Sequence, residues 1–187
     1  MNKTLASLFS SLLALWVGPA AAITYTVVDP AQSAIQFSYV QMGVTMDGSF
    51  TKYNVKLSFD PAKPESTVAL MDLQLASVDA GYVEANSELA GKDWFDTAAY
   101  PTARFESTSV QTLPDNKYQL NGKLTIKGRT REISTPVTFA SKGSKGLFEG
   151  TFSFNRSEFA IGKGVWSDPK IVADQIKIRF RLQAIEK

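Results

Sequence analysis

Glu84, Glu88, Asp93 and Asp96 are the groups in this chain best suited to acid–base chemistry, because the sequence contains no His and no Cys. Glu84 and Glu88 stand at i, i+4 and would share one face of a helix. Paired carboxylates can act as acid and base in glycoside hydrolysis, or hold a hard cation. An ordinary solvated helix face is the reading the sequence favours, and no calcium-loop spacing occurs. Without imidazole or thiol there can be no Ser-His-Asp or Cys-His machinery, no disulfide framework and no zinc site built from those ligands. Gly162-Lys163-Gly164 lacks the strand–turn–helix setting of a phosphate loop and reads as a turn. Ser141-Lys142 and Ser144-Lys145 lie in a Gly-containing turn, where adjacent side chains are solvated. Asn155-Arg156-Ser157 matches the glycosylation sequon, a pattern short enough to arise by chance. The expectation is therefore no catalytic residue, no metal and no cofactor, and a function based on binding.

The elements that would frame a binding site begin after a leader. Lys3 supplies a positive n-region, Leu5 to Val17 is an apolar run, Gly18-Pro19 breaks it, and Ala20-Ala21-Ala22 offers small residues for cleavage. Residues 1–22 read as a secretory signal peptide, with cleavage after Ala22 and a periplasmic protein of residues 23–187. A retained membrane anchor is disfavoured, since the apolar run is short for a bilayer. The chain has 187 residues, 44% hydrophobic and 20% charged, which suits one globular domain. Its 20 basic and 18 acidic side chains form no concentrated patch, so a nucleic-acid partner is not expected.

Period-two alternation dominates this domain. Ile176 to Ala184 places every apolar residue on one face and every polar residue on the other, the pattern of a half-buried antiparallel strand. Tyr118, Leu120, Leu124 and Ile126 repeat it, as do Phe148, Phe152 and Phe154. Ile35 to Val40, Ser49 to Phe59, Val68 to Val78, Ala103 to Val110 and Ile133 to Ala140 are further strand candidates. Asp29-Pro30, Asp60-Pro61, Pro114-Asp115-Asn116 and Lys142-Gly143-Ser144 read as turns. Within Gly81 to Lys92, Val83, Asn86, Leu89 and Ala90 suggest a short amphipathic helix. Strands linked this way make a sandwich or a closed barrel. A barrel of about eight strands can be filled by side chains or hold one small ligand. The 12 Phe residues could serve either purpose, and composition alone favours core filling. Trp94-Phe95 should plug one end of the β structure, with Pro101 setting the start of the next strand.

Several segments carry a family resemblance. They are Tyr25 through Asp29-Pro30, Gln32-Ser33 to Phe37, Gly43 with Gly48-Ser49-Phe50, Phe59-Asp60-Pro61 and Ser77-Val78-Asp79. Trp94-Phe95-Asp96 to Tyr100-Pro101 then runs on into Phe105-Glu106-Ser107-Thr108. The last two are Gly122 to Thr130 and Arg156-Ser157-Glu158-Phe159-Ala160-Ile161-Gly162. In this order the chain resembles the YceI-like family, exported lipocalin-like proteins associated with binding polyisoprenoids and other long-chain lipids. The resemblance implies an all-β fold, an extended antiparallel barrel of about eight strands with a short helix near one end and an elongated apolar cavity. It moves the reading of the aromatics from core filling to ligand lining. Histidines that family members often carry are replaced here by Gln32, Gln41 and Glu88, so head-group contacts should be insensitive to pH near neutrality.

The function this implies is that of a periplasmic carrier for a long-chain isoprenoid, an isoprenoid quinone or a similar lipid. The pool for the cavity lining is Phe37, Tyr39, Phe50, Phe59, Phe105, Phe139, Phe152, Phe154 and Phe180, with Asn86, Trp94 and Arg104 at the mouth. Strand alternation forbids all of these from facing inward. Transient contact with a membrane or membrane protein, and a homodimer, are compatible with the same reading. The rival expectations are an envelope interaction or stress protein with a filled barrel, and a carboxylate enzyme built on Glu84, Glu88, Asp93 and Asp96.

Overall fold

A computed structural model describes residues 23–187; the expected leader lies outside them. Ten strands and one α-helix follow in chain order. They are β1 (Tyr25–Gln41), β2 (Val44–Phe50), β3 (Tyr53–Ser58), β4 (Val68–Gln74), β5 (Val78–Asp79), α1 (Val83–Ala90) and β6 (Thr102–Leu113). β7 (Lys117–Ile126), β8 (Arg129–Lys142), β9 (Lys145–Asn155) and β10 (Gln175–Glu186) complete the chain. All belong to one antiparallel sheet ordered β3-β4-β6-β7-β8-β9-β10-β1-β2-β5. The sheet curls until its ends meet. The Tyr25 N–H donates to the Phe59 carbonyl (2.9 Å) and the Phe59 N–H returns to the Tyr25 carbonyl (3.1 Å). Curling brings the two edges together and so limits the unpaired edge exposed to other chains.

The fold is the expected all-β barrel with a short helix, but with ten strands where about eight were expected. Ser49 to Phe59, which alternates as one strand, is broken at Thr51-Lys52. The Thr51 N–H donates to the Ser77 carbonyl (3.1 Å) and the Lys52 N–H to Ser77 Oγ (3.0 Å), so a distant segment intercepts the ladder. That segment, a 3-10 turn over Leu75–Ser77, also ends the run expected for Val68 to Val78 and leaves β5 only two residues long. Asp29-Pro30 is a bulge inside β1, not a turn between strands, and the β1–β10 register shifts between Asp29 and Ala34. Pro30 has no N–H to give the ladder. Instead the Ala31 N–H bonds Asp29 Oδ1 (3.0 Å) and Ser33 Oγ–H bonds the Asp29 carbonyl (2.6 Å).

Inside the barrel the apolar faces of the strands meet in two zones. At the end where β1 begins, Tyr25, Phe59, Tyr118, Phe139 and Phe148 pack ring on ring. Phe59 lies 4.9 Å from Phe139, 5.1 Å from Phe148 and 5.2 Å from Tyr118 between centroids. Edge-on and tilted pairs of this kind add about 0.5–1.5 kcal/mol each beyond the area they bury. The second zone, toward α1, is hollow.

Candidate functional site

The hollow zone is an apolar cavity of about 240 Å³ running along the barrel interior. Alternation builds its wall. β9 turns Phe152 and Phe154 inward, β10 turns Ile176, Ile178 and Phe180, β6 turns Ala103 and Phe105, and β1 turns Ile35, Phe37 and Tyr39. Thr135 is buried in the same wall, yet its hydroxyl is consumed by the Thr151 carbonyl at 2.9 Å. A ligand there meets hydrocarbon and ring faces almost everywhere. Burial raises the Tyr39 phenol above its ordinary range, with a further push from Tyr82.

Loops and the helix form the mouth. α1 directs Ala85 and Leu89 at the cavity, while Val83, at the helix start, is 74% exposed and does not join its inner face. Phe95 packs on Phe50 at 6.1 Å, and Trp94, 7% exposed, lies 5.7 Å from Trp166. The Trp166 indole N–H donates to Glu88 Oε1 at 2.8 Å, tying α1 to the loop before β10. The Trp94 indole N–H is buried without a partner.

Two cations hold this end together. Arg156, 2% exposed, donates to five main-chain carbonyls, those of Ile161, Gly162, Trp166, Val172 and Ala173, at 2.6–3.1 Å. Its guanidinium also sits 5.7 Å from the Trp94 ring. Lys127 Nζ donates to the carbonyls of Lys92, Trp94 and Ala160. Burial pulls the pKa of both groups down; Asp174 opposes this at Arg156, and Asp96 and Asp93 oppose it at Lys127. Charged donors give the stronger hydrogen bonds. The loops from Lys92 to Trp94 and from Ala160 to Ala173 are thereby fixed over the cavity without a strand between them.

Of the residues expected to bind ligand, the structure brings Phe37, Tyr39, Phe50, Trp94, Phe105, Phe152, Phe154 and Phe180 to the cavity wall. Arg104 borders it as well, but its guanidinium is turned to the outer face and engaged bidentately by Asp72 at 2.7 and 3.0 Å. That pair holds the guanidinium above its ordinary pKa. Phe59 and Phe139 stand in the ring cluster at the other end, outside the lining. Asn86 is spent on the fold, its Oδ1 accepting the Ala80 N–H at 2.8 Å. Arg156 and Lys127 were not singled out for a role. For Arg156 a signal was present: Phe148, Phe152 and Phe154 set an inward parity that position 156 continues.

The four acids do not assemble. Glu88 serves Trp166, Glu84 is exposed on the helix, and Asp93 uses its main-chain carbonyl to receive the N–H groups of Gly162 and Lys163 at 2.7 and 2.8 Å. Among the described residues no group of three or more acidic side chains is placed to hold a metal ion. None of their helices is long and apolar enough to cross a membrane.

A curled antiparallel barrel with an apolar hollow and a helix at its mouth defines a lipocalin-like binding fold. The chain belongs to the YceI-like domain family, whose model matches residues 26–184. It is 30% identical over 171 residues to a UPF0312 protein of Azotobacter vinelandii, covering 87% of this chain and 89% of that one. To a UPF0312 protein of Pseudomonas savastanoi pv. phaseolicola it is 31% identical, covering 86% and 88%. Among solved structures, Burkholderia cenocepacia BcnA superposes with a TM-score of 0.82 at 42% identity, over 84% of this chain and 99% of that one. A polyisoprenoid binding domain from Saccharophagus degradans shares the fold with a TM-score of 0.69 at 14% identity, over 89% and 99%.

Proposed function

We propose that this chain is a non-enzymatic periplasmic carrier that sequesters one long apolar chain, a polyisoprenoid, an isoprenoid quinone or a similar lipid, in the barrel interior. The observation that carries the reading is the cavity itself, hollow and apolar where a packed core would otherwise stand. A barrel acting only through its surface has no use for that space, and this favours the carrier over the interaction protein. Each methylene moved from water into such a wall is worth about 0.8 kcal/mol. A few isoprene units therefore bind without any directed polar contact, and selectivity falls to the length and width of the lumen. The leader-like residues 1–22 and the name of the Saccharophagus degradans neighbour support the location and the ligand class respectively.

Titration with an isoprenoid quinone tests the proposal, because Trp94 and Trp166 line the cavity and should report its occupation. Saturable quenching of their fluorescence at one quinone per chain is the expected result. Absence of saturable quenching by quinones, together with no uptake of prenols, would remove the carrier reading.

A further inference from the structure

Three phenylalanines of the cavity wall lie over glycines of a neighbouring strand. Phe37 faces Gly48 across β1–β2, and Phe180 faces Gly150 across β10–β9. Phe105 leans diagonally over Gly122 of β7, whose direct partner is Ser107. At each glycine, a methyl group added to the backbone would fall inside the space of the phenylalanine ring. None of the three has a left-handed φ, so the backbone conformation does not call for glycine. What calls for it is room under the ring.

The three positions differ in what else is close. A methyl group at Gly48 would also meet the Asp79 carbonyl oxygen at 2.7 Å, and one at Gly122 the Glu106 carbonyl oxygen at 2.6 Å. Substitution there would disturb the sheet itself. At Gly150 the three nearest atoms all belong to the Phe180 ring. Glycine at 150 is therefore required by one side chain, and that side chain forms part of the cavity wall.

We propose that Gly150 is the specificity-determining residue of the cavity: it is a socket that lets the Phe180 ring lie flush on the β9–β10 wall and so sets the width of the lumen. A side chain at 150 lifts the ring, and the space open to it is the lumen. A flush ring takes its thickness from the bore, whereas a lifted ring takes more of its breadth. The loss falls first on chains that are wide along their length, so the socket suits a methyl-branched isoprenoid chain, and a filled socket selects a straight acyl chain. This rests on the carrier reading and adds to it the feature that admits branching.

The test compares a polyprenol with a straight-chain alcohol of the same chain length, titrated against the protein, Gly150→Ala and Gly150→Ala/Phe180→Leu. The alanine variant should lose roughly tenfold or more in affinity for the polyprenol relative to the straight chain, the scale on which a tight apolar pocket discriminates small groups. The double variant should regain the polyprenol, because the shorter Leu leaves the lumen open. Equal affinity of Gly150→Ala for both probes, equal loss of both, or failure of Phe180→Leu to restore the branched one would overturn the socket. Should Gly150→Ala not fold, Phe180→Leu alone asks the same question from the other side: it should raise the polyprenol-to-straight preference, and an unchanged preference overturns the proposal. If the unaltered protein takes up neither probe, the carrier reading falls. The crystal structure of Gly150→Ala then decides the socket by itself: a Phe180 ring moved into the lumen upholds it and an unmoved ring refutes it.

Discussion

The two ends of the barrel solve the same problem by opposite means. Where β1 begins, Tyr25, Phe59, Tyr118, Phe139 and Phe148 fill the interior with aromatic rings, and a pair of main-chain hydrogen bonds stitches Tyr25 to Phe59. Where α1 lies, the interior stays open, and its covering loops hang from Arg156 and Lys127. Apolar packing can close an end but cannot leave a vacancy, because a packed ring occupies the space it stabilises. Main-chain carbonyls gathered by a buried cation hold loops in place without putting side chains into the lumen. On the proposed function, the first end gives stability and the second gives capacity.

Substitutions at each end should separate these two properties. Phe59→Ala removes the ring at the centre of the filled end and should cost about 4 kcal/mol, the scale of a fully buried Phe→Ala change. Protein that remains folded should keep its affinity for a long-chain prenol. Urea unfolding with a parallel prenol titration checks both halves, and a large fall in prenol affinity would erase the distinction between the ends. Arg156→Met leaves five carbonyls without their donor and should cost about 3 kcal/mol. Here prenol binding should fall together with stability. Retained affinity in folded Arg156→Met would show that the loops do not shape the cavity. Lys127→Met, at a less buried position with three carbonyls, should repeat this pattern at about 1.5 kcal/mol.

The smallest expected effects concern pH. Neither end contains a histidine, so prenol affinity should stay level between about pH 6 and 7, where imidazole titrates; a step there in a binding–pH profile would point to a titrating group at the mouth. At high pH the half-buried phenols outside the filled end respond. Burial raises the phenols of Tyr39 and Tyr53 above their ordinary 10.0 in the folded chain. The unfolded chain then loses those protons first, so the stability linked to them is intact below 10.0 and falls as pH rises through the raised values. Ultraviolet titration against unfolding midpoints should show the midpoint falling as tyrosinate forms.

Period two made the strands legible, and with them the inward set that includes Phe37, Phe105, Phe152 and Phe180. It could not say how far along the barrel axis an inward residue lies. Phe139 and Phe152 are both turned inward, yet one is packed in the filled end and the other lines the cavity. Position along the axis depends on strand register, which is set between strands distant in sequence. The break at Thr51-Lys52 was hidden for a similar reason, since Ser77 causes it from outside the local pattern. Parity alone places Arg104: Ala103 and Phe105 face in, so its charge must face out, where it meets Asp72 and not the mouth. Gly48, Gly122 and Gly150 interrupt alternating runs without a turn, and a glycine inside a strand signals close approach of another group.

Native mass spectrometry of protein purified from its own cells tests the central claim most directly. The account predicts one long-chain isoprenoid-type lipid per protein chain, retained through purification and released by solvent. Protein that repeatedly carries no lipid, and that binds none when prenols or quinones are added, would contradict it.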